Sequence, residues 1–260
     1  MDMIIEACGA THRGNIRALN EDNIYVDGSF RSDLTMDNVL LKGKDNQDAH
    51  TYAVFDGLGG EEYGERASYI AASVLRTAEK AQSEADIGVF VAAVHRAILS
   101  DAAHKEARNM GTTVAGLHLN GSEGTVFNVG DSRVYMFRSG RLLQLSHDHS
   151  VEQSMIDCGF LEAARRNSTG HAGELTQYLG MTSEEDIEPE AECAKVSTEP
   201  GDIFILCSDG LTGELSDEEI TGILERDHEG DPDYIMGDLM KNAVSKEGRD
   251  NISVIVVKVK

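Results

Sequence analysis

Residues 112–146 read TTVAGLHLNGSEGTVFNVGDSRVYMFRSGRLLQLS, and they decide the fold class of this chain. Short β-prone runs alternate there with turn-type dipeptides, which are Asn120-Gly121, Gly130-Asp131 and Ser139-Gly140. This rhythm predicts a meander with strands at Thr113–Leu119, Thr125–Val129, Arg133–Phe137 and Leu142–Leu145. A meander of this length indicates a protein built on antiparallel sheets.

Further strands and helices are predicted on both sides of the meander. Apolar, β-prone runs predict strands at Thr51–Phe55, Asp202–Cys207 and Ile252–Val259. Helical spacing, a capping box at Ser216 and a proline in a first turn predict helices at Tyr63–Ala81, Ile87–Arg108, Ser216–Glu225 and Asp231–Val244. Strands outnumber helices, and the helices come in pairs. We therefore expect an α+β fold, with helices packed on antiparallel sheets, in a single domain spanning residues 1–260.

The charge and composition of the chain exclude several classes of partner. Its 260 residues carry a formal net charge of −23, and such a surface repels nucleic acid and anionic lipid. The cysteines form no CxxC pair that would indicate a zinc or thioredoxin-like site; they are Cys8, Cys158, Cys193 and Cys207. Neither a signal peptide nor an apolar run of about 20 residues is evident. We expect a cytoplasmic protein without nucleic-acid or membrane partners.

Acidic residues stand where predicted strands begin or end. They are Asp56, Asp131, Asp209 and Asp250, and an early segment adds Arg17, Glu21 and Asp22. Carboxylates gathered in one place repel one another unless a divalent cation supplies positive charge. An all-oxygen ligand set favours Mg²⁺ or Mn²⁺ over Zn²⁺. Each aspartate taken alone could equally belong to an ordinary turn, and Gly130-Asp131 could be a hairpin turn.

The ordered set of these motifs resembles the metal-dependent protein phosphatases, the protein phosphatase 2C family, in its compact bacterial form. The matching segments follow the family's order and span nearly the whole chain. They are Arg17 with Asn20-Glu21-Asp22, Asp56-Gly57-Leu58-Gly59-Gly60, Gly111-Thr112-Thr113, Gly130-Asp131-Ser132-Arg133, Leu175-Thr176-Gln177-Tyr178-Leu179-Gly180, Ser208-Asp209-Gly210-Leu211 and Asp250-Asn251. The resemblance implies a sandwich of two antiparallel sheets with a layer of helices on each outer face, a four-layer αββα arrangement. It also implies that the acids converge at one edge of the sandwich.

The same resemblance implies a role for each of these residues. Asp56, Asp209 and Asp250 would be catalytic, and Arg17 would bind the substrate phosphate. The metal ligands would be Glu21, Asp22, Asp56, Gly57 through its carbonyl, Asp131, Asp209 and Asp250. Two Mn²⁺ or Mg²⁺ ions would bind tightly, with Asp56 bridging them, and Asp131 would help to hold a third, weaker one.

The implied reaction is the hydrolysis of phosphoserine and phosphothreonine in other proteins. A water molecule held between the two metal ions would attack phosphorus in line with the departing oxygen. The expected partners are phosphorylated proteins, such as those of a bacterial Ser/Thr kinase, and a monomer is expected. The alternative is a regulatory binding module that kept the fold and lost catalysis.

Some positions depart from parts of the family. Leu58 stands where animal members carry a histidine proposed as general acid, and Gln177 stands where relatives often carry arginine. The family's flap is expected near residues 146–180, and its start at His147 and His149 is expected to be a solvated loop. Residues 28–50 form a polar insert that is expected to be an exposed connection, either a mobile loop or a short hairpin.

Overall fold

Two antiparallel sheets of six strands face each other at the centre of the molecule. The computed structural model describes residues 4–43, 49–58, 63–78, 84–107, 109–162, 169–182, 188–226 and 230–260. In spatial order, the first sheet contains β11 (Arg141–Gln144), β10 (Arg133–Arg138), β13 (Ile203–Cys207), β14 (Ile252–Val259), β1 (Ile5–His12) and β4 (Asn38–Lys42). The second contains β12 (Glu192–Ser197), β9 (Glu123–Val129), β8 (Val114–Asn120), β5 (Ala49–Phe55), β2 (Asn23–Val26) and β3 (Ser29–Phe30). A two-stranded ribbon, β6 (Gly57–Leu58) with β7 (Gly111–Thr112), lies beside them.

Helices cover the outer face of each sheet, so the expected αββα sandwich is confirmed. The helices α1 (Gly64–Thr77) and α2 (Glu84–Lys105) pack on the second sheet, where Phe90 meets Phe127 edge-to-face. The first sheet is covered by α4 (Asp209–Thr212), α5 (Asp217–Arg226) and α6 (Pro232–Ser245). A short helix, α3 (Val151–Asp157), follows β11. Alternate residues of the central strands point into the layer between the sheets, and those residues are apolar. They include Val54, Leu117, Leu206 and Val257.

The predicted meander is divided between the two sheets. Its strands are present, but β8 and β9 pair in the second sheet, while β10 and β11 pair in the first. The predicted hairpin turn at Gly130-Asp131 is therefore wrong, because β9 and β10 do not pair with each other. Gly130 has φ of +101°, a conformation that favours glycine, and the chain crosses there from one sheet to the other.

Several elements of the structure were not predicted from the sequence patterns. The edge strand β4 alternates exposed and half-buried residues and owes its place to backbone pairing with β1. The insert at residues 28–50 is therefore more than an exposed connection, since it supplies β3, β4 and the start of β5. A tight turn at Asp27-Gly28, with φ of +45° and +85°, joins β2 to β3. Residues 44–48 lie outside the described part.

The predicted helices are confirmed with shifted ends. Ser216 and Glu219 form the expected capping box before α5, with bonds of 3.3 Å from the Glu219 amide to Ser216 Oγ and 2.9 Å from the Ser216 amide to the Glu219 carboxylate. The last helix begins at Pro232 behind the cap Asp231. By length and composition alone, residues Ala85–Lys105 of α2 could cross a membrane. Many of their apolar side chains, among them Phe90, Val94 and Ile98, instead lie in the core against the second sheet.

A pair of leucines in the first sheet tests the inter-sheet layer. Leu206 is fully buried between the sheets, whereas Leu143 is 54% exposed. We expect Leu206→Ala to lower the free energy of unfolding by about 2–5 kcal/mol, because it leaves a cavity. The matched Leu143→Ala change should lower it by less than about 0.5 kcal/mol. Urea titrations followed by circular dichroism in EDTA measure both; equal losses would contradict the assigned packing.

Candidate metal centre

A cavity of about 350 Å³ opens at one edge of the sandwich. Loops that follow or precede central strands of both sheets surround it. The residues that line it are Arg17, Glu21, Asp56, Gly57, Leu58, Asp131, Gly173, Leu175, Asp209 and Asp250. All site residues expected from the sequence line it except Asp22, which is buried and lies behind this wall. The structure therefore brings together residues that are up to 233 positions apart in the chain.

Asp56 leaves the end of β5 and is held by its backbone. Its amide donates to Thr113 Oγ1 at 3.1 Å, and its carbonyl accepts from the amide of Thr113 and from Thr112 Oγ1 at 2.9 and 2.8 Å. The next residue, Gly57, must be glycine, because a Cβ there would overlap the carbonyl oxygens of Glu21 and Gly64. This close approach fixes the Asp56–Gly57 pair against the early acidic segment.

The early acidic segment is anchored by side chains from the far end of the chain. The Glu21 amide donates to Asn251 Oδ1 at 2.7 Å, and its carbonyl accepts from Ser68 Oγ at 2.6 Å. The Asp22 carboxylate accepts through Oδ2 from Ser208 at 2.9 Å and from Ser253 at 2.7 Å. Its Oδ1 atom is buried and has no hydrogen-bond partner among the described residues.

Asp209 and Asp250 complete the far wall of the cavity. Asp209 is the first residue of α4, directly after β13, and Asp250 directly precedes the segment that enters β14. Arg17 donates from Nη2 to Asp250 Oδ2 at 2.6 Å, with the two side chains 43% and 34% exposed. The candidate phosphate-binding arginine is thus already in contact with one of the candidate ligands.

Asp131 lies on the loop that crosses between the sheets, and residues of the predicted flap hold this loop in place. The amide of His149 donates to the Gly130 carbonyl at 2.9 Å, and His149 Nδ1 accepts from the Gly130 amide at 3.3 Å. Arg133 makes a two-pronged ion pair with the buried Asp148 at 2.7–3.0 Å. The expectation of a solvated loop is therefore wrong for His149, which is 9% exposed.

The predicted flap contributes to the cavity through two residues that the sequence patterns did not single out as site residues. Gly173 and Leu175 line the wall, and a bridge between Leu175 and Ser150 ties them to the start of α3. Gln177, which replaces an arginine of some relatives, turns away, and its side-chain oxygen accepts from the Glu190 amide at 3.1 Å. Periodicity could not reveal this segment, because it is neither helix nor regular strand.

Five carboxyl groups of this site have raised pKa values. Burial raises the pKa of Asp22 to about 7, against the lowering effect of its two serine partners. The pKa values of Asp56 and Asp131 lie well above the usual range, because burial and then neighbouring carboxylates disfavour the charged form. Burial also raises the pKa of Glu21 and Asp209. For Asp209, the neighbouring Asp250 carboxylate adds to the effect of burial.

These features fit a bound divalent cation. The donor set consists of carboxylate oxygens and one backbone carbonyl, as hard cations prefer. A cation would relieve the repulsion that raises the carboxyl pKa values, and the orphaned Asp22 Oδ1 is a polar atom that needs a positive partner. Within the described residues, no three His, Cys, Asp or Glu side chains form a closed ligand set as they stand. Asp250 contacts Arg17, and Asp22 contacts Ser208.

The chain is similar to known proteins over nearly its whole length. A family profile described as Protein phosphatase 2C matches residues 27–230. The Serine/threonine phosphatase stp of Listeria welshimeri is 30% identical over 260 residues, which cover 95% of this chain and 93% of the relative. The solved catalytic domain of serine/threonine protein phosphatase PstP, in complex with two manganese ions, superposes with a TM-score of 0.76. It is 26% identical, and 99% of each chain is covered.

One relative is much longer than this chain. The Serine/threonine protein phosphatase PstP of Mycobacterium tuberculosis is 27% identical over 262 residues, which cover 99% of this chain. The chain spans 45% of the length of that relative.

Asp56→Asn tests whether carboxylate repulsion is relieved by metal. In EDTA we expect this variant to melt at the same temperature as wild type or higher, since a raised carboxyl pKa means that the charged form costs folding free energy at neutral pH. Mn²⁺ at 100 times its dissociation constant should stabilise wild type by about 2.7 kcal/mol and the variant hardly at all.

The matched control is Glu225→Gln on the exposed side of α5, which should gain from Mn²⁺ as wild type does. Thermal unfolding by scanning fluorimetry, with and without Mn²⁺, measures all three proteins. An undiminished Mn²⁺ response in Asp56→Asn would contradict the assignment.

Proposed function

Because this chain belongs to the protein phosphatase 2C family, we propose that it is a metal-dependent phosphatase that removes phosphate from serine and threonine residues of proteins. The observation that carries the proposal is the cavity itself. It combines carboxylates on separate loops with a single lining arginine among the described residues. That combination suits a phosphate monoester, which needs cations around its oxygens and a guanidinium to orient it.

The proposed ligands are the carboxylates of Glu21, Asp22, Asp56, Asp131, Asp209 and Asp250 and the carbonyl of Gly57. We propose that two ions, Mn²⁺ or Mg²⁺, would bind tightly to these residues, with Asp56 as a central ligand, and that Asp131 would help to hold a third, weaker ion. When bound, these cations supply the positive charge that stabilises the transferring phosphoryl group and the acidity that makes water a nucleophile at neutral pH. The manganese ions of the PstP catalytic domain support this choice.

Arg17 is the proposed phosphate-binding residue. Its planar guanidinium can grip two phosphate oxygens at once, and it extends from a loop over the cavity mouth. Its partner Asp250 must release it, or share it, when substrate arrives. Exchange of this kind costs little, because the ion pair is more than one-third exposed on both sides and surface ion pairs contribute at most about 1 kcal/mol.

The reaction needs no nucleophile from the protein. Leu58 lines the cavity and has no ionisable proton to donate. We therefore propose that water within the cavity protonates the departing serine or threonine oxygen. The cysteines are poor candidates for the nucleophile: burial raises the pKa of both Cys8 and Cys207 to about 12, and no cysteine lines the cavity.

In the cell, we propose a cytoplasmic enzyme that opposes a bacterial Ser/Thr kinase. The names of the Listeria and Mycobacterium relatives support phosphoprotein substrates. A net charge of −23 disfavours nucleic acid and anionic membranes as partners. A single catalytic domain that works as a monomer, with the flap near residues 146–180 shaping access, remains our expectation.

The activity test is direct. We expect hydrolysis of para-nitrophenyl phosphate and of a phosphothreonine peptide with Mn²⁺, loss in EDTA, and loss of at least about 100-fold in Asp56→Asn, because the bridging ligand is removed. Glu225→Gln should keep full activity. Metal-loaded wild type that binds Mn²⁺ yet hydrolyses neither substrate would favour the alternative of a regulatory binding module.

Arg17→Ala tests the phosphate-binding role. We expect the KM for a phosphothreonine peptide to rise about tenfold or more, since a hydrogen-bonded charge pair with the substrate is lost. The Mn²⁺ dissociation constant should stay within about threefold, because no proposed ligand is removed. Arg13→Ala is the matched control, since Arg13 pairs with Asp37 at 3.1 Å and does not line the cavity. Steady-state kinetics and calorimetry measure the two effects; loss of metal binding in Arg17→Ala would contradict the role.

A further inference from the structure

Arg31 is an arginine in the interior of the protein. It belongs to the polar insert of residues 28–50, yet it is 1% exposed and is among the largest fully buried side chains. No carboxylate of the described residues forms an ion pair with it, and its Nε has no hydrogen-bond partner there. A buried guanidinium without an ion pair is costly, so its position calls for a compensating role.

The backbone of Arg31 is fixed from two sides by one residue. Asn23 Oδ1 accepts from the Arg31 amide at 3.0 Å, and Asn23 Nδ2 donates to the Arg31 carbonyl at 3.0 Å. Asn23 is the first residue of β2 and directly follows Asp22. The side chain of Arg31 therefore starts from a point that is rigidly tied to the acidic segment.

From this point the guanidinium reaches back to the acidic segment itself. Nη2 donates to the carbonyl of Asn20 at 2.8 Å, and Nη1 donates to the carbonyl of Met36 at 3.2 Å. The first bond is buried and spans 11 residues. One side chain thus joins the insert to the residue that directly precedes Glu21 and Asp22.

Asn20 is itself hydrogen-bonded to the segment that carries the candidate ligands. Its side chain donates to Thr11 Oγ1 at 2.9 Å and to the Asp37 carbonyl at 2.7 Å, and its Oδ1 accepts from the Asp22 amide at 3.1 Å. With its carbonyl held by Arg31, Asn20 is fixed at both its side chain and its backbone. The peptide that carries Glu21 and Asp22 into the site is then set in one conformation.

Charge favours the same arrangement. Burial lowers the pKa of the buried Arg31 guanidinium, and the carboxylates of Asp22 and Glu65 oppose this lowering by favouring its charged form. Arg17, by contrast, reaches the cluster from the exposed side. A cluster of carboxylates is easier to assemble when positive charge stands behind it as well as in front.

We infer that Arg31 is a positioning residue for the metal centre: it holds the Asn20 carbonyl so that Glu21 and Asp22 meet the cations. The inference rests on the proposed function, in which those two residues are ligands. The insert would then contribute to the site, because it contains Arg31, the residue that holds the early acidic segment in place. Support of ligands from behind typically changes metal affinity by about 10–100-fold when it is removed.

The test replaces the charge while keeping the shape. Arg31→Met is close in length and apolar, so it suits the buried position, and replacing a buried charge by an apolar residue is often neutral for folding. We expect its Mn²⁺ dissociation constant, measured by titration calorimetry, to rise at least about tenfold while its melting temperature in EDTA matches or exceeds that of wild type. The matched control is Arg76→Met, since Arg76 is exposed and lies over the ring of the neighbouring Phe30 at 6.0 Å.

A second variant covers the case in which Arg31→Met does not fold. Arg31→Lys keeps the charge, but a single ammonium cannot donate to both carbonyls in the fixed fork of a guanidinium. We expect it to fold and to bind Mn²⁺ with an affinity between those of wild type and Arg31→Met. If either folded variant binds Mn²⁺ as wild type does, the inference is overturned. If wild type itself neither binds Mn²⁺ nor hydrolyses phosphothreonine, the proposed function fails instead.

Discussion

The rest of this structure must offset the repulsion between the carboxylates of the site. Asp22, Asp56, Asp131 and Asp209 all have pKa values raised by burial and then by neighbouring carboxylates, so the folded chain holds them together against an electrostatic cost. The rest of the fold must supply that free energy. Apolar layers on both faces of each sheet do so, because their burial does not depend on the charge state of the site.

The division of the meander between two sheets explains how distant residues reach one cavity. If β9 and β10 had formed a hairpin, Asp131 would lie in a turn at the end of one sheet. Because the chain crosses at Gly130, Asp131 stands in the gap between the sheets, beside the loops that leave β5 and β13. The Arg133–Asp148 pair and His149 then hold the crossing loop from the flap side. The same crossing therefore builds the sandwich and brings Asp131 to the site.

The sequence predicted the features that depend on near neighbours in the chain, such as strands and helix caps, and the motifs that match a known family. Strand β14 and the capping box of α5 were predictable because alternation and capping depend on near neighbours. The partition of the meander was not predictable, since a turn dipeptide does not say which strands will pair across it. Arg31 was also missed: its sequence neighbours are polar, and its burial results from contacts with Asn20 and Met36 made only after folding. A residue that holds a site in place through such contacts does not belong to a helical or strand pattern, so sequence periodicity does not reveal it.

The strongly negative chain must still attract a dianionic phosphate, and the contacts of Arg17 indicate how. Arg17 donates from Nη2 to the Asp250 carboxylate, an anionic oxygen group of the kind that a guanidinium also binds in phosphate. That carboxylate keeps the arginine extended over the cavity, so little side-chain entropy remains to be lost when substrate binds. Under the proposed function, Asp250 would be one of the residues that hold a cation, and Arg17 would be the residue that binds phosphate. Under the proposed function, Asp250 would therefore belong both to the metal site and to the surroundings of the phosphate-binding arginine, so that one aspartate lies between the two proposed tasks of the cavity.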